Sequence, residues 1–174
     1  MEFSVENSIE ILERTPSVLN TMLQGIASEW TSDNEGKDTW SVYDVIGHLI
    51  HGEKTDWVPR AKIILSANSN KNFEVFDRFA QFENSKGKSL NELLDEFGKL
   101  RKQNLDWLYA AKITDDDLEK KGIHPAFDNV SLSQLLATWT VHDLNHIAQI
   151  ARIMSKQYQS AVGPWTAYLK ILQP

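Results

Sequence analysis

The segment VHDLNHIAQIARI, residues 141–153, contains a pair of histidines whose spacing could bind a metal ion. His142 and His146 are one helical turn apart, so a helix presents both imidazoles on one side, close enough to hold a single ion. Together with Asp143 they lie inside or at the edge of the apolar stripe of that helix. Buried polar groups cost free energy unless a partner satisfies them. Two interpretations stay open: a metal site, or histidines that are hydrogen-bonded in the core.

A third ligand should come from a different helix, because metal sites in helix bundles are built from side chains on facing helices. The remaining histidines are His48, His51 and His124. His48 borders the apolar stripe of its helix, whereas His51 lies roughly 60° further round, toward the polar face. His124 precedes a proline in a connecting segment and has no geometric support. The sequence therefore favours His48 as the third ligand and predicts a solvated His51.

Three neutral imidazoles suit zinc, nickel, cobalt, copper or ferrous iron. They also leave a coordination position for water or substrate, as in catalytic rather than structural zinc sites. A divalent ion lowers the pKa of a bound water or thiol and so produces a nucleophile at neutral pH. The chain has no cysteine, so any thiol in the reaction must arrive as a cosubstrate.

Asp143 and Glu53 are the candidate catalytic carboxylates beside this site. Asp143 follows its histidine as Glu does in the zinc-protease motif His-Glu-x-x-His, and the alternative is that it orients an imidazole. Glu53 falls at the centre of an apolar stripe, with Arg60 about two turns further on nearly the same face. A structural ion pair between these two is the favoured interpretation. Asp44 could orient His48, but it also fits a capping box.

Four amphipathic helices are predicted to position these residues. Thr15-Pro16 has the pattern of an N-cap followed by proline at the first helical position. The next three helices begin with capping-box patterns at Ser41, Ser89 and Ser131. The second helix is expected to extend to about residue 67 with a kink or break at Pro59, and the fourth to about residue 157.

The other segments are predicted to be connections. Residues 68–88 and 112–130 join helices, and Gly163-Pro164 separates the fourth helix from a short terminal segment. No stretch alternates convincingly with period two, so no strand is expected. The predicted fold is an all-α four-helix bundle with short extra helical segments, forming a single domain over residues 1–174.

Composition and charge narrow the functional classes. The net charge is −6 and no basic cluster is present, which argues against a nucleic-acid partner. No apolar run is long enough to span a bilayer, and the first residues lack the regions of a signal peptide. We therefore expect a cytoplasmic protein that acts on a small molecule, without a membrane partner.

Four blocks of the sequence resemble the DinB-like superfamily in order and spacing: TWSVYDVIGHLIHGEKTDWVPR, FDRFAQFE, LLATWTVHDLNHIAQIARIM and YQSAVGPWTAYLKIL. The resemblance covers most of the chain. It implies a DinB/YfiT-type four-helix bundle, often a homodimer, with one divalent metal, commonly nickel or zinc. The positions that match the metal triad of the family are His48, His142 and His146.

The resemblance also implies a range of activities. Members with known activity include thiol-dependent S-transferases that use bacillithiol or glutathione, and the mycothiol-dependent maleylpyruvate isomerase; many relatives are described only as metal-dependent hydrolases. Two functions stay open for this chain. One is a metal-dependent hydrolase or thiol S-transferase, and the other is a non-catalytic metal-binding stress-response protein. A cavity beside the metal would favour the enzyme, whereas a fourth protein ligand would favour the binding protein.

Overall fold

A computed structural model describes residues 1–173, and helices dominate it. The predicted domain extends one residue further, to Pro174, which lies outside the described residues. In chain order the elements are α1 (Val5–Leu23), α2 (Glu29–Ser32), α3 (Val42–Thr55), α4 (Trp57–Leu65), α5 (Ala80–Asn84), α6 (Leu90–Ala111), α7 (Asp115–Leu118), β1 (Lys121–His124), β2 (Asp128–Ser131), α8 (Leu132–Lys156) and α9 (Gln159–Val162). Two 3₁₀ segments, Gly163–Tyr168 and Lys170–Leu172, follow. The bundle consists of α1, the α3–α4 pair, α6 and α8, as predicted.

Three of the four long helices begin where their capping boxes predicted. The hydroxyls of Ser41, Ser89 and Ser131 each accept a hydrogen bond from a backbone N–H of the first turn. The side chain three positions further along accepts in return from the backbone N–H of the serine. These bonds satisfy N–H groups that have no partner inside the helix. Asp44 is the returning residue of the Ser41 box, which confirms its capping role.

The start predicted for the first helix is wrong. Helix α1 begins at Val5, with the Ser4 hydroxyl accepting from Asn7 N at 3.1 Å, and Pro16 lies inside it. The apolar stripe extends upstream of the proline through Leu12, which is fully buried. Burial of that stripe therefore outweighs the cost of a proline within the helix.

Pro16 has a consequence for the interior of the bundle. Proline has no backbone N–H, so the carbonyl of Leu12, four residues earlier, loses its usual helical donor. In the structure Arg101 Nη1 of α6 donates to that carbonyl at 2.9 Å. A side chain from another helix thus satisfies the group that the proline leaves free.

The predicted break in the second helix is confirmed, and it falls at Asp56, between α3 and α4. Pro59 then lies in the first turn of α4, where backbone N–H groups have no intrahelical acceptor and proline costs little.

The prediction that the chain forms no strand is wrong. Strands β1 and β2 form an antiparallel hairpin with His124 opposite Asp128 at its closed end. Four-residue strands are too short for alternation to be visible in the sequence. The hairpin packs closely on the loop before α5, since a Cβ built on Gly122 would lie 2.4 Å from the ring of Phe73.

The core consists of two apolar clusters along the bundle. Trp139 of α8 belongs to the first and Ile150 of the same helix belongs to the second. Between them along α8 lies Asp143, which is completely buried. A buried polar layer thus separates the two clusters. Within residues 1–173, no helix combines the length and apolarity needed to cross a membrane.

Candidate metal centre

The structure brings His48, His142 and His146 together. His48 extends from α3 and the other two from α8, and the His142 Nε2 atom lies 3.1 Å from Nε2 of each partner. All candidate ligand atoms are within 4.8 Å of one another. Across residues 1–173 these histidines form the one group of three or more His, Cys, Asp or Glu side chains arranged to hold a metal.

Hydrogen bonding alone does not account for this arrangement. A ring nitrogen of neutral histidine offers either one proton or one lone pair. The Nε2 atom of His142 nevertheless has two nitrogen neighbours at 3.1 Å, so it cannot make a well-directed bond to both. A cation accepts a lone pair from each of the three nitrogens. Tetrahedral zinc with Zn–N of about 2.0–2.1 Å separates its nitrogen ligands by about 3.3 Å, near the observed spacing. The three histidines therefore fit a divalent metal.

The protonation state of the cluster is suitable for metal binding. Burial, with further lowering by nearby positive charge, lowers the pKa of His48 to about 3 and that of His142 to about 2. Burial also lowers the pKa of His146, although its hydrogen bond to Gln149 and the charge of Asp143 oppose the shift. At neutral pH the imidazoles are uncharged and keep lone pairs for a cation.

The distal nitrogens of the three rings have different surroundings. His146 Nδ1 lies 2.7 Å from Gln149 Oε1. The Nδ1 atoms of His48 and His142 are buried without a hydrogen-bond partner among the described residues. An acceptor for every distal nitrogen would be usual in a metal site, but here it is present only for His146. The ring of His142 is instead held by packing, with the Trp57 ring 5.0 Å away edge-on.

The two candidate carboxylates face a buried arginine rather than the histidines. Arg101 binds both oxygens of Asp143, at 2.6 and 3.0 Å, and its Nη2 donates to Glu53 Oε1 at 2.8 Å. The predicted pairing of Glu53 with Arg60 is therefore wrong, and within residues 1–173 Asp143 makes no hydrogen bond to an imidazole. Comparing positions along one helix could not reveal Arg101, because it belongs to α6.

Further contacts complete the polar layer. Trp139 Nε1 donates to Glu53 Oε1 at 3.0 Å, and Asn104 Nδ2 donates to Glu53 Oε2 at 2.9 Å. One guanidinium and two carboxylates carry a formal charge of −1 in total, and Asp143 directly follows a histidine of the cluster. This charge favours a cation nearby. The sequence analysis missed Arg101, and its signal was an arginine at the centre of the α6 apolar stripe, where Phe97 and Leu105 are buried on either side.

The histidine cluster forms part of the wall of a cavity of about 820 Å³. Trp40, Trp57 and Phe76 also line it, and the hairpin tip contributes residues 125–127. His124, which had no support as a ligand, lies in this wall outside the cluster and stacks on Phe127 with ring centroids 4.6 Å apart.

The prediction of a solvated His51 is wrong. This side chain is buried, with 8% of its surface exposed, and its ring centroid lies 4.8 Å from that of Phe76. The loop between α4 and α5 covers the face of α3 that the helical pattern had left to solvent. Arg60, which was predicted to pair with Glu53, instead pairs with Asp56 at 2.7 Å in the cavity wall. Burial raises the pKa of Asp56 to about 6, despite the opposing charge of Arg60.

This chain is similar to known proteins in its sequence family and in its fold. YfiT from Bacillus subtilis, described as a probable metal-dependent hydrolase with an unusual four-helix bundle topology, has a TM-score of 0.75 at 19% identity, with 90% of each chain covered. TT2238, described as a four-helix bundle protein, has a TM-score of 0.57 at 16% identity, covering 85% of this chain and 98% of its own. Curated proteins give no significant sequence match. The family model of the DinB superfamily matches residues 11–150, and the chain therefore belongs to the DinB superfamily.

Proposed function

We propose that this protein is a divalent-metal-dependent enzyme, a hydrolase or a thiol S-transferase, with the metal held by His48, His142 and His146. One observation carries the proposal: the three histidines converge in the wall of a cavity of about 820 Å³. Among the described residues no fourth His, Cys, Asp or Glu joins the group. Three protein ligands leave room for water or substrate, which is typical of catalytic sites.

The ion, when bound, would supply a Lewis acid that makes a water or thiol nucleophilic at neutral pH. The surrounding residues do the positioning. Gln149 fixes the His146 ring, and Trp40, Trp57 and Phe76 line the cavity beside the cluster. Arg101 joins α3, α6 and α8 by binding both Glu53 and Asp143, which holds the two ligand-bearing helices in register.

The carboxylates divide into two kinds. Glu53 and Asp143 have 3% or less of their surface exposed and are bound by Arg101, which supports a positioning role for them. Asp56 lines the cavity, and burial raises its pKa to about 6. It is the carboxyl in this wall that can take up or release a proton near neutral pH.

The description of YfiT as a probable metal-dependent hydrolase supports the hydrolytic reaction. The thiol S-transferase reaction is supported separately, because the family that the sequence resembles includes thiol-dependent transferases. The chain has no cysteine, so the thiol would be a cosubstrate such as bacillithiol or glutathione. Nickel and zinc are the metals we favour, and iron, cobalt and copper also suit an all-imidazole site.

The first experiment measures metal content. We expect about one divalent ion per chain in wild-type protein purified without a histidine tag, and loss of that ion in His142→Ala, because each imidazole supplies one of three bonds. His124→Ala is the matched control, since His124 lies in the same cavity wall but outside the cluster. Full metal content in His142→Ala would contradict the assignment.

The second experiment measures turnover. Zinc- and nickel-loaded protein is screened with ester and amide substrates, and with electrophiles in the presence of glutathione or bacillithiol. Metal-dependent turnover that His146→Ala removes supports the enzyme. Stoichiometric metal without turnover in any of these reactions would favour the non-catalytic metal-binding stress-response protein.

A further inference from the structure

The wall of the cavity carries an unbalanced positive charge, although the protein as a whole has a net charge of −6. Its charged side chains, within the part of the chain that the structure describes, are Asp56, Arg60 and Arg78. Arg60 Nη1 lies 2.7 Å from Asp56 Oδ1, so those two charges offset each other. The charge that stays in the wall is that of Arg78.

Arg78 lies on the loop between α4 and α5, and its side chain is exposed. It takes part in none of the ion pairs within residues 1–173. Arg78 lines the same cavity as the three histidines of the cluster. A cation beside the cluster is thus available for a ligand.

The rest of the wall is mainly apolar. Trp57 and Phe76 line the interior, while Val75 and Phe127 line the cavity with 78% and 73% of their surfaces exposed. Because these residues line one cavity, they form a joint apolar surface of the kind that marks a ligand-binding groove. The cavity thus combines an aromatic wall and an apolar rim with one guanidinium that has no ion-pair partner among residues 1–173.

We propose that the cavity takes small organic anions, in which Arg78 binds a carboxylate and the aromatic wall packs against an apolar body. The inference rests on the proposed function, since it names the substrate class of the same site. A guanidinium presents paired N–H donors that match the two oxygens of a carboxylate. A divalent ion on the histidines would add charge of the same sign, so a cationic substrate is disfavoured.

Calorimetric titration with three matched probes tests this preference. Phenylbutyrate, phenylbutyramide and phenylbutylamine share one apolar body and differ in charge. We expect the carboxylate to bind about tenfold more tightly than the amide, as for a charge-assisted hydrogen bond at a partly solvated site, and the amine to bind most weakly. The protein is titrated both zinc-loaded and chelator-treated, because only the latter isolates Arg78 from direct binding of carboxylate to the metal.

Substitutions at Arg78 provide the decisive comparison. Arg78→Gln should bind carboxylate and amide about equally in chelator-treated protein, while Arg78→Lys should keep part of the preference. Arg14→Gln is the matched control, since Arg14 is exposed on α1 outside the cavity wall, and it should behave as wild type. An Arg78→Gln protein that retains the preference would overturn the proposal, as would wild-type protein that shows none or binds no probe at millimolar concentration.

The two proposals fail separately. Wild-type protein that lacks stoichiometric metal but prefers the carboxylate after chelation contradicts the metal enzyme and supports the anion site. Stoichiometric metal without a carboxylate preference contradicts the anion site and leaves the metal site supported.

Discussion

Replacing Arg101 with methionine tests whether the buried polar layer holds the bundle together. The substitution preserves much of the apolar stem but removes the guanidinium from Glu53 and Asp143, whose side chains are 1% and 0% exposed. Breaking a buried pair by removing one partner typically costs about 3–5 kcal/mol. The Leu12 carbonyl also loses its donor, which adds about 1–3 kcal/mol if water does not replace it. We expect a loss of at least about 3 kcal/mol, a large share of the roughly 5–15 kcal/mol typical of a domain.

The assay is urea unfolding followed by tryptophan fluorescence and circular dichroism, with free energies from linear extrapolation. Arg152→Met is the matched control, because Arg152 also pairs with a carboxylate, Glu35, but its own side chain is 43% exposed and Lys156 binds the same carboxylate at 3.1 Å. We expect a smaller loss than for Arg101→Met, since solvent screens the Arg152 charge and Lys156 still pairs with Glu35. Adding Glu53→Gln and Asp143→Asn to the Arg101 variant should recover part of the loss, since no unpaired charge is then buried. If Arg101→Met costs no more than Arg152→Met, the reasoning is refuted.

Three further predictions concern packing, pH and assembly. Gly122→Ala should lower the free energy of unfolding by about 1–3 kcal/mol, because its Cβ would lie 2.4 Å from the buried Phe73 ring; an unchanged urea midpoint would contradict that contact. The hydrogen bond from Arg152 is the main cause that lowers the pKa of Glu35 from 4.5 to about 2. A carboxyl whose pKa is lower in the folded state than in the unfolded state stabilises the fold when the pH is above the unfolded-state pKa. This stabilisation is lost as the pH falls toward the folded-state pKa. The difference in free energy of unfolding between wild type and Glu35→Gln should therefore shrink as the pH is lowered from 4.5 to about 2. A difference that stays constant over this range would argue against the ion pair. The family resemblance predicts a homodimer, so light scattering at micromolar concentration should give twice the chain mass of 19.9 kDa, and a monomer mass would exclude it.

The features that the sequence determined by itself are local ones. The helix starts at Ser41, Ser89 and Ser131 depend on residues three positions apart, and the pairing of His142 with His146 depends on one helical turn. Helix geometry alone fixes both relations. The four-helix bundle and the family could be predicted for a related reason, since several such local patterns occur in a specific order along the chain.

The features that only the tertiary structure decided join residues that are distant in sequence. Arg101 lies 48 positions from Glu53 and 42 from Asp143, and the helical wheel of any one of their helices carries no information about the other two. The same applies to Pro16, which is tolerated within α1 because the Arg101 side chain satisfies the Leu12 carbonyl. The burial of His51 and the place of Arg78 in the cavity wall likewise depend on how the loop between α4 and α5 crosses α3. Periodicity shows which face of a helix is buried, but the partner of each buried polar group is set by the packing of separate elements against one another.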